Sequence, residues 1–133
     1  MPISLDKALG LNPLILRLTE QRSTLLASNL SNAATPGYKA RDLDFQYELR
    51  RQAGLQGEVL PLLRTQAGHL SADSSGDEAT VQYRIPLSPN LDGNTVDEEL
   101  DRARFAENAF RYEAALTFLN RKFSGLKGAL RGE

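Results

Sequence analysis

Between positions 105 and 130 the apolar residues fall at Phe105, Ala109, Tyr112, Leu116, Leu119, Phe123, Leu126 and Leu130, in steps of 4-3-4-3-4-3-4. Such a run is a heptad repeat, and it commits this part of the chain to a long helix packed against another helix. Val96, Leu100, Ala103, Ala106, Phe110 and Ala114 form a second, overlapping stripe on the same helix. Thr95 followed by Glu98 matches a capping box, which predicts the helix start just after the Asp92-Gly93-Asn94 turn. Acids gather at the start (Asp97, Glu98, Glu99, Asp101) and bases at the end (Arg121, Lys122, Lys127, Arg131), so both ends complement the helix dipole. Gly125 and Gly128 predict fraying in the last turns.

A second long helix is predicted after Asn12-Pro13, with Asn12 as N-cap and Pro13 at the first helical position. Leu11, Leu14, Leu18 and Leu25 lie near heptad spacing, and Ile15, Leu26 and Leu30 widen the stripe. Thr35-Pro36-Gly37 ends it, because Pro36 disfavours helical geometry at Thr35 and Gly37 supplies a turn. Leu11, Ile15, Leu18 and Leu25 are expected to pack against the seam from Phe105 to Leu130. An antiparallel pair covers one stripe of each helix. The stripe Leu100, Ala103, Phe110 and Ala114 is then left over for neighbouring chains.

The middle is different. Residues 53–95 hold five of the ten Gly and three of the six Pro. Residues 71–78 are a polar loop, and Val81, Tyr83 and Ile85 alternate with Gln82 and Arg84, a strand ended by Pro86. The stretch Tyr38–Arg51 is ambiguous, since Leu43, Tyr47 and Arg50 or Arg51 allow a helix to resume after the turn. The domain reading is therefore three parts. Residues 1–35 carry the N-terminal helix, 36–94 an extended, irregular insert with a short strand near 80–85, and 95–133 the C-terminal helix.

Composition agrees with a mainly α fold. Leu is 23 and Ala 15 of 133 residues, whereas Val and Ile together are 6. Leucine and alanine favour helix, and β-branched residues favour strand. Sixteen Lys and Arg against 17 Asp and Glu give a net charge of −1, so no global basic field gathers nucleic acid or anionic membrane. Zero Cys excludes thiolate metal sites, disulfides and cysteine nucleophiles, and one His argues against histidine-based chemistry. No apolar run approaches a membrane span, and a basic region followed by an apolar one is missing from the start.

The most specific stretch is Asn29-Leu30-Ser31-Asn32-Ala33-Ala34-Thr35-Pro36-Gly37-Tyr38-Lys39. Asn29 and Asn32 share one face of the helix end, where two carboxamides either cap carbonyls or bridge to a neighbouring chain. A plain helix stop is the simpler chemical reading. With Ser28 and Ala40 the stretch resembles the N-terminal signature of the bacterial flagellar axial proteins, the rod, hook and hook-associated family. Arg41-Asp42-Leu43-Asp44-Phe45, Leu91-Asp92-Gly93-Asn94-Thr95-Val96-Asp97 and the run from Glu107 to Leu116 resemble the proximal rod subunits of that family.

The resemblance implies paired N- and C-terminal helices in a coiled-coil-like core domain, with a small irregular or β insert packed outside. It implies a structural subunit of the proximal rod that self-assembles into a helical tube, links the membrane ring to the distal rod and transmits torque. Export through the flagellar type III apparatus without a cleaved signal, and a periplasmic rod location, follow from it. The implied partners are other copies of the chain, other rod proteins, the adaptor joining rod to membrane ring, and the export gate. Enzymatic activity, cofactors, metals, small-molecule substrates and nucleic acid are not implied. The assembly motif would comprise Asn29, Asn32, Thr35, Pro36, Gly37 and Tyr38 with Asp92, Gly93, Asn94, Val96 and Asp97, Asn29 and Asn32 supplying polar register contacts. A soluble helical adaptor forming a small discrete oligomer is the rival reading.

The remaining residues suggest less. Asp92–Asp97 fails as a calcium loop, because its glycine is misplaced and Val96 occupies a ligand position. His69 reads as a surface residue. Asp42, Asp44 and Glu48 read as solvated charges, and Arg50-Arg51 as a solvated face or an inter-subunit contact.

Overall fold

A computed structural model describes residues 8–54, 79–87 and 90–132. The segment 71–78 read as a polar loop, His69 and residues 1–7 lie outside these residues. The elements run α1 (Asn12–Ser31), β1 (Arg41–Leu43), α2 (Phe45–Gln52), β2 (Val81–Tyr83) and α3 (Glu98–Arg131). The fold is mainly helical, with one small antiparallel sheet between the N- and C-terminal helices.

The 20 residues of α1 span about 30 Å and the 34 of α3 about 51 Å. They run antiparallel. Lys122 Nζ donates to Leu9 O at 2.9 Å at one end, and Asn108 Nδ2 donates to Thr19 O at 2.7 Å near the middle. At the other end residues 92–95 dock on the turn that follows α1.

Both helix starts differ from expectation. Asn12 is the first residue of α1, not its cap; Leu11 takes the cap position and makes no side-chain cap bond. In α3 the cap is Asp97, whose carboxylate accepts from Leu100 N at 3.1 Å. Thr95 is spent elsewhere: its N–H bonds to Tyr38 O at 3.0 Å and its hydroxyl accepts from Ala40 N at 2.7 Å. Those bonds hold Thr95 in the loop and move the helix start to Glu98. At its far end α3 continues through Gly125 and Gly128 to Arg131, stopped by Gly132 in the left-handed region (φ 77°).

The stretch after the Pro36-Gly37 turn forms β1 and then a short helix. Asp44 caps α2 by accepting from Tyr47 N at 3.0 Å. β1 pairs with β2 in the register Arg41↔Tyr83, Asp42↔Gln82, Leu43↔Val81, and Arg84 N extends the ladder to Ala40 O at 2.9 Å. The β1 partner of the predicted strand carries no β-rich run of its own, since Arg41-Asp42-Leu43 is too short and polar to show one.

The core differs most from the heptad reading. Leu18 packs with Leu43, Phe45 and Ala79, and Leu14, Ile15, Leu25 and Leu49 close around that cluster. Leu14, Ile15, Leu18 and Leu25 thus touch the insert, while Leu26 is fully buried outside that cluster and Leu11 is 41% exposed. On α3 the fully buried line is Asp101, Asn108 and Ala115, spaced by sevens. Ala109 is exposed, and Phe105, Tyr112, Leu116 and Phe123 flank the buried line at 37–46% exposure. Leu119 and Leu126 are half-buried, and Leu130 is exposed. A heptad pattern gives the period but not which of two adjacent rows faces the partner. Here hydrogen bonds and an ion pair select the polar row.

Candidate assembly interface

The two signature stretches, 62 residues apart at Asn32 and Asn94, meet in one clasp. Asn94 is its centre. It is 2% exposed, and its Nδ2 lies near three carbonyls at the end of α1: Asn32 O at 3.1 Å, Ala33 O at 2.8 Å and Thr35 O at 3.0 Å. Its Oδ1 accepts from Val96 N at 2.8 Å. Within the turn that follows α1, Asn32 O and Thr35 O also accept from Thr35 N and Tyr38 N, whereas Ala33 O accepts from Asn94 alone among the described residues. Asp92 O accepts from Gly37 N at 2.9 Å, and Lys39 Nζ donates to Gly93 O at 2.8 Å. Gly37 (φ 71°) and Gly93 (φ 74°) both sit in the left-handed region, and a Cβ on Gly93 would stand 3.8 Å from the Gly37 Cα. Two glycine turns therefore stack closely.

Asn29 and Asn32 do different jobs within the chain. Asn29, fully buried, grips Arg41 by both backbone groups: Nδ2 donates to its O at 2.8 Å and Oδ1 accepts from its N at 3.0 Å. It thereby fixes the position of β1 against α1. Asn32 donates to Ser28 O at 2.9 Å and accepts from Thr35 Oγ1 at 3.2 Å, finishing the helix. Tyr38 shares a 3.1 Å hydrogen bond with Ser28 Oγ. Val96 is buried, Asp97 caps α3, and Pro36 stands exposed on the turn.

A charged chain crosses the same region. Arg22 grips Asp42 at 3.0 and 3.1 Å, Arg84 reaches Asp42 at 3.1 Å, and Arg84 also pairs with Asp101. One ion chain so links α1, β1, the end of β2 and α3. Asp42 and Glu48 are thus not solvated charges. Burial raises the Asp42 pKa, but the hydrogen bond and charge of Arg22, the Leu43 N–H and the charge of Arg84 outweigh it and hold the carboxyl below its usual range. Glu48 is 0% exposed and accepts from Thr80 N at 3.0 Å, Arg51 Nη2 at 2.8 Å and Gln52 Nε2 at 3.2 Å. Burial raises its pKa too, and the Thr80 N–H, Arg51 and Gln52 bring it below the ordinary value.

Both carboxyls therefore bind protons more weakly folded than unfolded. Their stabilisation is complete above the unfolded carboxylate pKa and fades as pH falls from about 5 toward about 3. Urea midpoints should drop across that window. Glu48→Gln should be less stable at neutral pH and show a flatter drop; an unchanged slope would contradict the assignment.

Sequence reasoning missed Asn108, Asp101, Arg22, Arg84 and Glu48. The signal for two of them was present. Asp101 and Asn108 are polar residues one heptad apart inside an amphipathic helix, a pattern that sets register in helix pairs. The outer stripe divides: Phe110 is 74% exposed and Ala103 and Ala114 are exposed, whereas Leu100 is half-buried. Phe118 on α3 is 56% exposed as well. Among the described residues no His, Cys, Asp and Glu cluster is arranged to hold a metal, and no helix is long and apolar enough to cross a membrane.

Helices from both ends of a chain, locked by a motif-to-motif clasp and carrying aromatic side chains outward, define a helix-paired structural subunit. No family model matches the chain. It is 47% identical over 125 residues to the flagellar basal body rod protein FlgB of Cereibacter sphaeroides, covering 94% of each chain. It is 42% identical over 134 residues to that of Aeromonas hydrophila, covering 100% of this chain and 99% of the relative. The match to FlgB of Escherichia coli strain K12 is 41% over 131 residues, covering 96% and 95%. The chain belongs to the FlgB family of flagellar basal body rod proteins, structural components of the flagellum.

Proposed function

We propose that this chain is a subunit of the proximal rod, assembling with its own copies and other rod proteins into a helical tube that links the membrane ring to the distal rod. The role is packing and torque transmission rather than catalysis. The observation that carries it is the row of aromatic residues α3 exposes in a chain of this family, Phe110 at 74% and Phe118 at 56%. Exposed apolar surface of that kind is stabilised when another chain covers it. We assign the outer stripe of Leu100, Ala103, Phe110 and Ala114 to neighbours and the residue 29–38 and 92–97 clasp to holding the helix pair in shape. In this reading the chain divides into three parts at 35/36 and 94/95, and the clasp joins the outer two. The adaptor between rod and membrane ring and the type III export gate complete the partner set, and the location is the periplasmic rod.

Sedimentation of the purified chain with its axial partners tests this: rod-like particles are expected, and a discrete small oligomer would favour an adaptor instead. Phe110→Asp should abolish particle formation without altering the helix content, because Phe110 is 74% exposed. Leu116→Asp or Leu119→Asp should block assembly too, by placing a charge in an apolar surface. Normal rods from Phe110→Asp would sink the assignment of that stripe.

A further inference from the structure

We propose that the groove between α1 and α3 receives the basic C-terminal stretch of α3 from a second copy of this chain. The inference deepens the rod reading and rests on it. The groove is lined by Thr19 and Glu20 from α1 and by Asn108, Tyr112, Glu113 and Leu116 from α3. Glu20 and Glu113 are exposed and make no ion pair among the described residues. Elsewhere on α3, Glu98 and Glu107 are each paired one turn away with Arg102 and Arg111. Beneath the groove, Asn108 is 1% exposed and its Oδ1 has no donor, while its Nδ2 is spent on Thr19 O. Two unpaired carboxylates and an unanswered carbonyl dipole make the groove electronegative. Tyr112 and Leu116, 42% and 39% exposed, give it an apolar wall.

The end of α3 is complementary. Past the Lys122–Leu9 contact the helix runs on for nine residues (122 to 131), about 13 Å. Lys127 and Arg131 are exposed there with no ion pair among the described residues, and Phe123 and Leu130 are exposed beside them. A cationic and apolar stretch so faces outward at one end of the molecule, and an anionic and apolar groove lies mid-helix. Glu113 and Lys127 are 14 residues apart, about 21 Å along the axis. Docking one copy's end in another's groove therefore staggers copies in the same direction. That contact joins two different surfaces, so it extends into an open array instead of closing into a dimer.

Charge exchange in the full-length chain tests it by sedimentation velocity. Glu20→Lys with Glu113→Lys, or Lys127→Glu with Arg131→Glu, should each weaken self-association by about tenfold or more. Mixing the two variants, or combining all four changes in one chain, should restore it. Glu20→Gln with Glu113→Gln should lie between, and far-UV circular dichroism should match the unmodified chain, all four positions being exposed. An unmodified chain that does not self-associate, a reversed chain that associates as before, or a mixture that fails to recover would overturn the groove assignment. Rods formed with axial partners but insensitive to these charges would sink this inference alone; absence of rods from the unmodified chain would sink the rod reading.

Discussion

Arg84→Met is expected to destabilise the fold by about 3–5 kcal/mol, read as a lower midpoint in urea or heat. The reason lies in what remains. Asp101 is 0% exposed and one of its carboxylate oxygens already has no partner. Arg84 is the cation it pairs with, and it also shares Asp42 with Arg22. Removing the guanidinium leaves Asp101 as an uncompensated buried charge and Asp42 with one counter-charge in place of two. Methionine keeps most of the aliphatic stem, so packing changes little. A second substitution separates charge from shape: Asp101→Leu in the Arg84→Met background should recover much of the loss, because a paired deletion removes the stranded charge. If Arg84→Met alone is nearly neutral, the ion chain does not hold the helices together as described.

Asn94→Ala is expected to cost about 2 kcal/mol, by leaving Ala33 O and the Val96 N–H without their partner and taking one of two donors from Asn32 O and Thr35 O. Asn94→Asp is the sharper test. It keeps an oxygen for the Val96 N–H but turns a donor into an acceptor facing the carbonyls of Asn32, Ala33 and Thr35. It should therefore be at least as destabilising as alanine. Hydrogen exchange should rise at Gly37, Thr95 and Val96, whose amides are bonded across or within the clasp. An aspartate variant as stable as the unmodified chain would refute the donor role of Asn94.

The two helices were legible because a heptad repeat is a local, periodic signal. The cap of α3 was not, because Thr95 has two competing uses and only the loop's docking on Tyr38 and Ala40 decides between them. Ionisable groups misled for a related reason. Asp42 and Glu48 look like surface acids in the sequence. They are enclosed because Arg22 and Arg84 for the first, and the Thr80 amide for the second, arrive from other parts of the fold, Arg51 joining Glu48 from one turn on in α2. The clasp residues were readable as motifs through resemblance. Their meeting at Asn94 was not, since nothing local ties residue 94 to residues 32–35.

The sequence by itself determined two long helices, a short strand between them and membership in a family of rod proteins, because period, turn chemistry and ordered motifs are properties of neighbours along the chain. The tertiary structure decided which face of α3 is buried. Asp101 and Asn108 point inward because Arg84 and the Thr19 carbonyl await them there. The apolar seam is thereby turned to the flanks, half covered, and Phe110 and Phe118 are turned outward. A buried polar group must be paired wherever the fold provides the pair, and that requirement is stronger than an unfinished apolar row that another chain can cover.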